Sequence, residues 1–213
     1  MKNRLLHHKI LHLFAIAVFC AITSVSFELG AEEIDKGEIS AEPSNSVLFR
    51  WPNHSPFRWH YSNLNKPSWL SDGQAKTLFT NAAKAWSECG VMINYGGEMN
   101  EEPGNPDANN ILGWSNLPPR IRGFTYRKQR AGDLISVSII INNENDDIKN
   151  NPVLLQKVVT HEFGHALGLV HSRGCQDVMS SAATCGSNPN FTPPTTPTEN
   201  DLIQCKLRYG NKK

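Results

Sequence analysis

What this sequence lacks most plainly is an excess of either charge: its 213 residues carry 21 Lys+Arg against 20 Asp+Glu. A chain that grips a phosphate backbone needs a clear basic surplus, so a nucleic-acid partner is excluded. The one basic cluster, Arg120 to Arg130, reads as a solvated loop. No two cysteines stand at C-x2-C spacing, which excludes a cysteine-built zinc site. No segment repeats, and no second apolar run matches the length of the one at the N-terminus.

That N-terminal run has the grammar of a secretory signal. Lys2, Arg4 and Lys9 give a basic start, Ile10 to Phe27 is apolar, and small residues follow at Ser24, Ser26 and Ala31. Residues 1–31 are therefore expected to be a signal peptide cut near Ser26 or Ala31. The competing reading is an uncleaved anchor, since the run is just long enough to span. Phe19 before Cys20 argues against lipoprotein-type processing. Residues 32–45 are acidic and poor in apolar side chains, as a linker or short pro-segment would be. Residues 46–213 form the expected domain. With the leader gone, Cys89, Cys175, Cys185 and Cys205 remain. An even number in an exported chain points to two disulfides, and four cysteines allow three pairings.

Within the domain, Val47–Arg50 and Phe57–Tyr61 alternate as strands do. Ser71-Asp72-Gly73-Gln74 is a capping box, and Ala75, Leu78, Phe79, Ala82 and Trp86 then recur at helical spacing until Gly90 stops the helix. Val91–Tyr95, Ile111–Trp114, Ile121–Tyr126 and Leu134–Ile141 read as further strands. In the last, Ile135, Val137, Ile139 and Ile141 share one face and Ser136 and Ser138 the other. Residues 98–110 and 142–150 read as polar loops. Asn151 caps a second helix, with Pro152 at its first position, running to about Leu167. Phe191–Thr198 is irregular, and Glu199–Tyr209 is a final helix stopped by Gly210. Five or so strands and three helices in this order predict an α+β (mixed α/β) domain, with the first two helices on one face of a twisted sheet.

The chemistry concentrates at the end of the second helix, in His161-Glu162-Phe163-Gly164-His165. Residues four apart share a helix face, so both imidazoles can reach one ion. Glu162, one position on, points past the metal and can hydrogen-bond a water on it as a general base. Gly168 can end the helix in a left-handed turn and bring His171 back as a third ligand. Three protein ligands leave one open position, the mark of a catalytic zinc. The expected metal ligands are thus His161, His165 and His171, and the expected catalytic residue is Glu162.

The stretch His161–His171 resembles the long zinc-binding consensus of the metzincin metallopeptidases. Met179, eight residues beyond His171, stands where those enzymes carry the methionine of their Met-turn. Ser172 after the third histidine is similar to the matrixin branch, as are Thr198-Glu199-Asn200-Asp201-Leu202-Ile203 and the closing Leu207-Arg208-Tyr209-Gly210. The likeness covers residues 46–210, is specific at the site and loose upstream. Departures mark a divergent member. No cysteine-switch pro-segment precedes the domain. Ser180 and Ser181 follow Met179 where Met-x-Pro is usual, and position 181 is not the tyrosine of astacin-like relatives. Ligands for a second, structural zinc are not recognisable, and calcium is possible without support.

The resemblance implies a metzincin-like zincin fold: a twisted five-stranded sheet, two long helices, a zinc cleft and a small C-terminal subdomain ending in a helix. It implies that the strand Ile121–Tyr126 is the edge along which a peptide lies. It implies that residues 180–198 wall the pocket beyond the scissile bond. Disulfides Cys175–Cys185 and Cys89–Cys205 are expected with it. The expected function is a secreted (extracellular or periplasmic) zinc-dependent endopeptidase with one catalytic zinc. The alternatives are a non-catalytic zinc-binding module and a zinc amidase with a narrow non-protein substrate. Its partner would be a peptide or protein substrate, with no membrane unless the leader is kept, and the chain would act as a monomer. Asp35 in the acidic stretch is a candidate cap for the open zinc position before processing.

Overall fold

The computed structural model describes residues 28–31, 49–52, 55–104, 109–181 and 194–210. The rest of the expected leader, the acidic segment with Asp35, and Cys185 lie outside the described residues. One mixed sheet organises the chain: β1 (Glu28–Ala31), β2 (Phe57–Tyr61), β3 (Ile93–Glu98), β4 (Ile111–Ser115), β5 (Gly123–Arg130) and β6 (Asp133–Asn142). Their order is β1-β5-β6-β4-β2-β3. The β3, β2, β4 and β6 neighbours are parallel, while β5 runs antiparallel to β6. Five strands are those expected for the domain. The sixth, β1, comes from the stretch read as the end of the leader and pairs antiparallel with β5.

Among the described residues four α-helices accompany the sheet: α1 (Asp72–Ala85), α2 (Asp146–Lys149), α3 (Pro152–Ala166) and α4 (Glu199–Tyr209). The Ser71 hydroxyl accepts the Gln74 amide and Gln74 reaches back to the Ser71 amide, so both orphan donors at the start of α1 are satisfied. Asn151 caps α3 by accepting the Leu154 amide, with Pro152 behind it. α1 and α3 pack together, and α3 lies on β5 and β6. Trp86 and Trp51 donate their indole N–H groups to Thr160 and Ala166 carbonyls of α3, at 2.9 and 3.0 Å. Phe163 of α3 meets Phe57 and Trp59 of β2 edge-on, with centroids 6.1 and 5.7 Å apart. The chemistry-bearing helix is thus the most enclosed one, buried from Val158 to Ala166.

Three expectations are corrected. Phe49 and Arg50, the described part of the Val47–Arg50 strand, make only one bridge, Arg50 to Asp133. On β6 the alternation does not separate core from solvent: Ser136 and Ser138 are buried, while Ile135 is half exposed. The second face is covered by the loop after β3, whose Gly104 amide donates to the Ser138 hydroxyl, which itself donates to the Ile111 carbonyl. The polar loop 142–150 contains α2, capped by Asn145 accepting the Asp147 and Ile148 amides.

α4 is tied back through its second half. A disulfide joins Cys205 to Cys89, with Cα atoms 5.2 Å apart. The Tyr209 hydroxyl accepts the Trp51 amide and donates to the Leu167 carbonyl at 2.9 Å. Burial raises the Tyr209 phenol to about 12. Among the described residues no helix is long and apolar enough to cross a membrane.

Candidate metal centre

The end of α3 builds the site. The Gly168 amide donates to the His165 carbonyl and the Leu169 amide to the Gly164 carbonyl, the two reversed bonds of a Schellman cap. Gly168 has φ +82°, and a Cβ there would lie 2.1 Å from the Phe49 carbonyl oxygen, so only glycine fits. The reversal carries the chain through Leu169 and Val170 to His171.

His161, His165 and His171 converge: one ligand atom from each lies within 4.8 Å of the others. The Nε2 atoms of His165 and His171 are 3.2 Å apart, close to the roughly 3.3 Å that two nitrogens span across a tetrahedral ion at about 2.0–2.1 Å. Nδ1 of His161 donates to the Val178 carbonyl at 2.7 Å, and Nδ1 of His165 to the Leu169 carbonyl at 2.8 Å. Both Nε2 atoms therefore carry lone pairs, the tautomer a metal ligand needs. His161 Nε2 is buried with no hydrogen-bond partner, an orphan that a cation would satisfy. Burial holds the His161 and His165 imidazoles well below their ordinary value, and the His165 or His171 charge beside each pushes the same way. The donor set is neutral, soft enough for a borderline metal, and partly aimed already.

Glu162 is fully buried. Its Oε2 accepts the Thr125 hydroxyl at 2.5 Å, and the same hydroxyl lies 3.2 Å from the Glu162 carbonyl. Gly123 gives the carboxylate room: a Cβ there would meet Glu162 Oε1 at 2.9 Å. β5 thus presents a notch, Gly123 and Thr125, into which Glu162 fits.

Met179 is buried below the histidines, and a Cβ on Gly164 would fall 2.2 Å from its Sδ. The Ser172 amide donates to the Met179 carbonyl, which joins the methionine turn to the third histidine's segment. Asp201 of α4 accepts the Val178 and Met179 amides at 2.8 and 3.3 Å, besides the Thr198 amide. One buried carboxylate therefore fixes the peptide whose carbonyl orients His161. Of the other expected residues, Cys89 and Cys205 are joined away from the histidines, and Cys175 lies on the loop after His171.

The roles of Thr125, Gly123, Gly164 and Asp201 went unread in the sequence, although each lies in a stretch singled out there. Asp201 left a trace, as the fourth residue of a Thr-x-x-Asp capping box. Thr125 left none, because only the sheet brings it to Glu162.

Residues 123–204 match the family model described as Matrixin, Peptidase_M10. The match opens at the notch residue Gly123 and closes within α4. No curated protein matches the chain.

Proposed function

From the premise that this chain carries a matrixin-like metzincin domain and is a zinc metalloendopeptidase, we propose that it is an exported enzyme in which His161, His165 and His171 hold zinc and Glu162 moves the proton. The observation that carries this reading is the convergence of three imidazoles, two with Nδ1 committed to backbone carbonyls. Bound there, zinc would polarise the scissile carbonyl and acidify a water beside it.

The chain's own groups supply the rest. Glu162, buried and held by Thr125, takes the proton of the attacking water and returns it to the leaving amine. Burial favours the neutral forms of His161 and His165, so protons compete less for their lone pairs. Met179 and the Val178 carbonyl form a rigid floor, so the ligands are oriented before the ion arrives.

A peptide substrate adds to β5 as one further antiparallel strand, passing the notch that holds Glu162. In the uncut chain that edge is taken by β1. Export follows from the leader, and its cleavage site decides whether residues 28–31 remain. The pocket wall expected at residues 180–198 lies mostly outside the described residues.

The test pairs metal analysis with cleavage of a mixed peptide library. Glu162→Ala should keep one zinc per chain and lose at least ~10²-fold in rate, and chelation should abolish wild-type cleavage until zinc is restored. Undiminished cleavage by the Glu162→Ala protein would remove the mechanism.

A further inference from the structure

α4 buries a stripe of Asp201, Cys205 and Arg208. The first two have their partners: Asp201 its amides, Cys205 its disulfide. Arg208 does not. Its residue is 7% exposed, yet its Nη1 finds only the Gln204 carbonyl of its own helix, at 3.4 Å. Its Nε is buried with no hydrogen-bond partner, and no carboxylate among the described residues pairs with it.

A buried guanidinium without a counter-charge is strongly unfavourable, and natural chains keep such a group where something completes it. The surroundings sharpen the need. Burial lowers the guanidinium's pKa, Tyr209 pulls it back up, and the charge of Arg127 adds a smaller push downward. Arg173 stands in the wall of the same cavity. Asp201 also lines it, but its oxygens accept three backbone amides. Asp133 lines a second cavity, of about 260 Å³, on the other flank of Arg208, outside ion-pair distance.

The first cavity is about 300 Å³, between α4 and the segment carrying His171, Ser172 and Arg173. Asn200 and Gln204 add amide groups to its wall. Nη1 is spent on the helix and Nε is closed off, so Nη2 is the guanidinium donor left for a ligand, and a carboxylate would supply the missing counter-charge.

We infer that this cavity is a carboxylate-binding site, with the Arg208 guanidinium in its wall as the counter-charge. Its occupant is a carboxylate small enough for the cavity, either a free organic acid or the carboxyl end of a peptide. The site adjoins the metal centre through His171 and Met179 but does not depend on it to cleave anything.

Calorimetry on the zinc-loaded, full-length chain tests this without turnover. Three probes are titrated at constant ionic strength: acetate, N-acetylglycine and N-acetylglycinamide. Saturable binding of the two carboxylates and none of the amide is expected. Tighter binding of N-acetylglycine identifies a peptide end as the natural ligand, and equal or tighter acetate binding identifies a free acid. Arg208→Leu should weaken the carboxylates at least tenfold while zinc content stays the same, and Arg208→Lys should weaken them less. If Arg208→Leu does not fold, Asn200→Leu serves as a second probe of the same wall, with weaker binding expected. No saturable carboxylate binding by the wild-type chain would overturn the proposal. So would unchanged binding by Arg208→Leu, which would put the carboxylate on the metal.

Discussion

At the scale of single residues, the proposed base is held by the hydroxyl of Thr125. Thr125 donates to the Glu162 carboxylate at 2.5 Å in a space from which solvent is excluded. A hydrogen bond to a buried charged group contributes about 1.5–3 kcal/mol, and each 1.4 kcal/mol is a factor of ten. Thr125→Val keeps the shape and removes the donor. It should lower kcat by roughly ten- to a hundredfold with little change in KM, and leave zinc content intact. Thr125→Ser should recover most of the rate. If the valine variant cleaves peptides as fast as the wild type, Thr125 only fills space.

The imidazoles make a second prediction at this scale. In the folded, metal-free chain burial, above all, holds His161 and His165 well below the ordinary imidazole value of about 6.5. Unfolded, each would titrate near 6.5. Below that pH the unfolded chain binds more protons than the folded one, so stability falls with acid. Above it neither state binds them and the contribution is full. The melting temperature of chelator-treated protein should therefore be flat in this respect above about pH 7 and drop as pH falls below about 6.5. A His161→Gln, His165→Gln chain should show a shallower drop. Equal slopes for the two chains would show that these residues do not control acid sensitivity.

At the scale of elements, β5 is the strand on which the proposed activity depends. One edge pairs with β6, and the other with β1, in the register Leu29 to Tyr126 and Ala31 to Phe124. Backbone donors and acceptors already paired within the chain are not open to a substrate strand. A chain beginning after residue 31 should cleave peptides several-fold faster than one retaining residues 28–31, with the difference in KM. Equal KM values would mean that β1 does not compete for the edge.

The elements also show what can be read without coordinates. Both long helices were legible because their caps are local: Ser71 with Gln74, and Asn151 before Pro152. The three histidines were legible because a helical turn and a glycine reversal are also local. β6 was misread on one face, because Ser136 and Ser138 look like surface residues until the loop after β3 closes over them. α2 was missed because a single turn capped by Asn145 resembles the polar loop around it. The Gly123–Thr125 notch required the pairing of β5 beside α3, which no short window encodes.

For the molecule as a whole, the question is what keeps the two halves of the metal centre in register. His161 and His165 come from α3, but the Val178 carbonyl that orients His161 is set by Asp201 of α4. α4 in turn is anchored to the helical side by Cys89–Cys205, across a sequence separation of 116, and by Tyr209 on Leu167 and Trp51. The disulfide therefore constrains the site as well as the unfolded chain. Replacing both Cys89 and Cys205 by alanine should cost about 2–5 kcal/mol of stability, read as a lower denaturation midpoint. Because α4 loses one of its ties, zinc affinity should fall as well, by competition against a chelator, under conditions where the variant is still folded. Tyr209→Phe offers the matched control: it removes the hydroxyl between Trp51 and Leu167, should cost about 1–3 kcal/mol, and loosens the same helix one turn further on. If the alanine pair loses stability while its zinc affinity equals that of the wild type, α4 stabilises the fold without holding the metal site, and the chain of contacts from Cys205 through Asp201 to His161 transmits nothing.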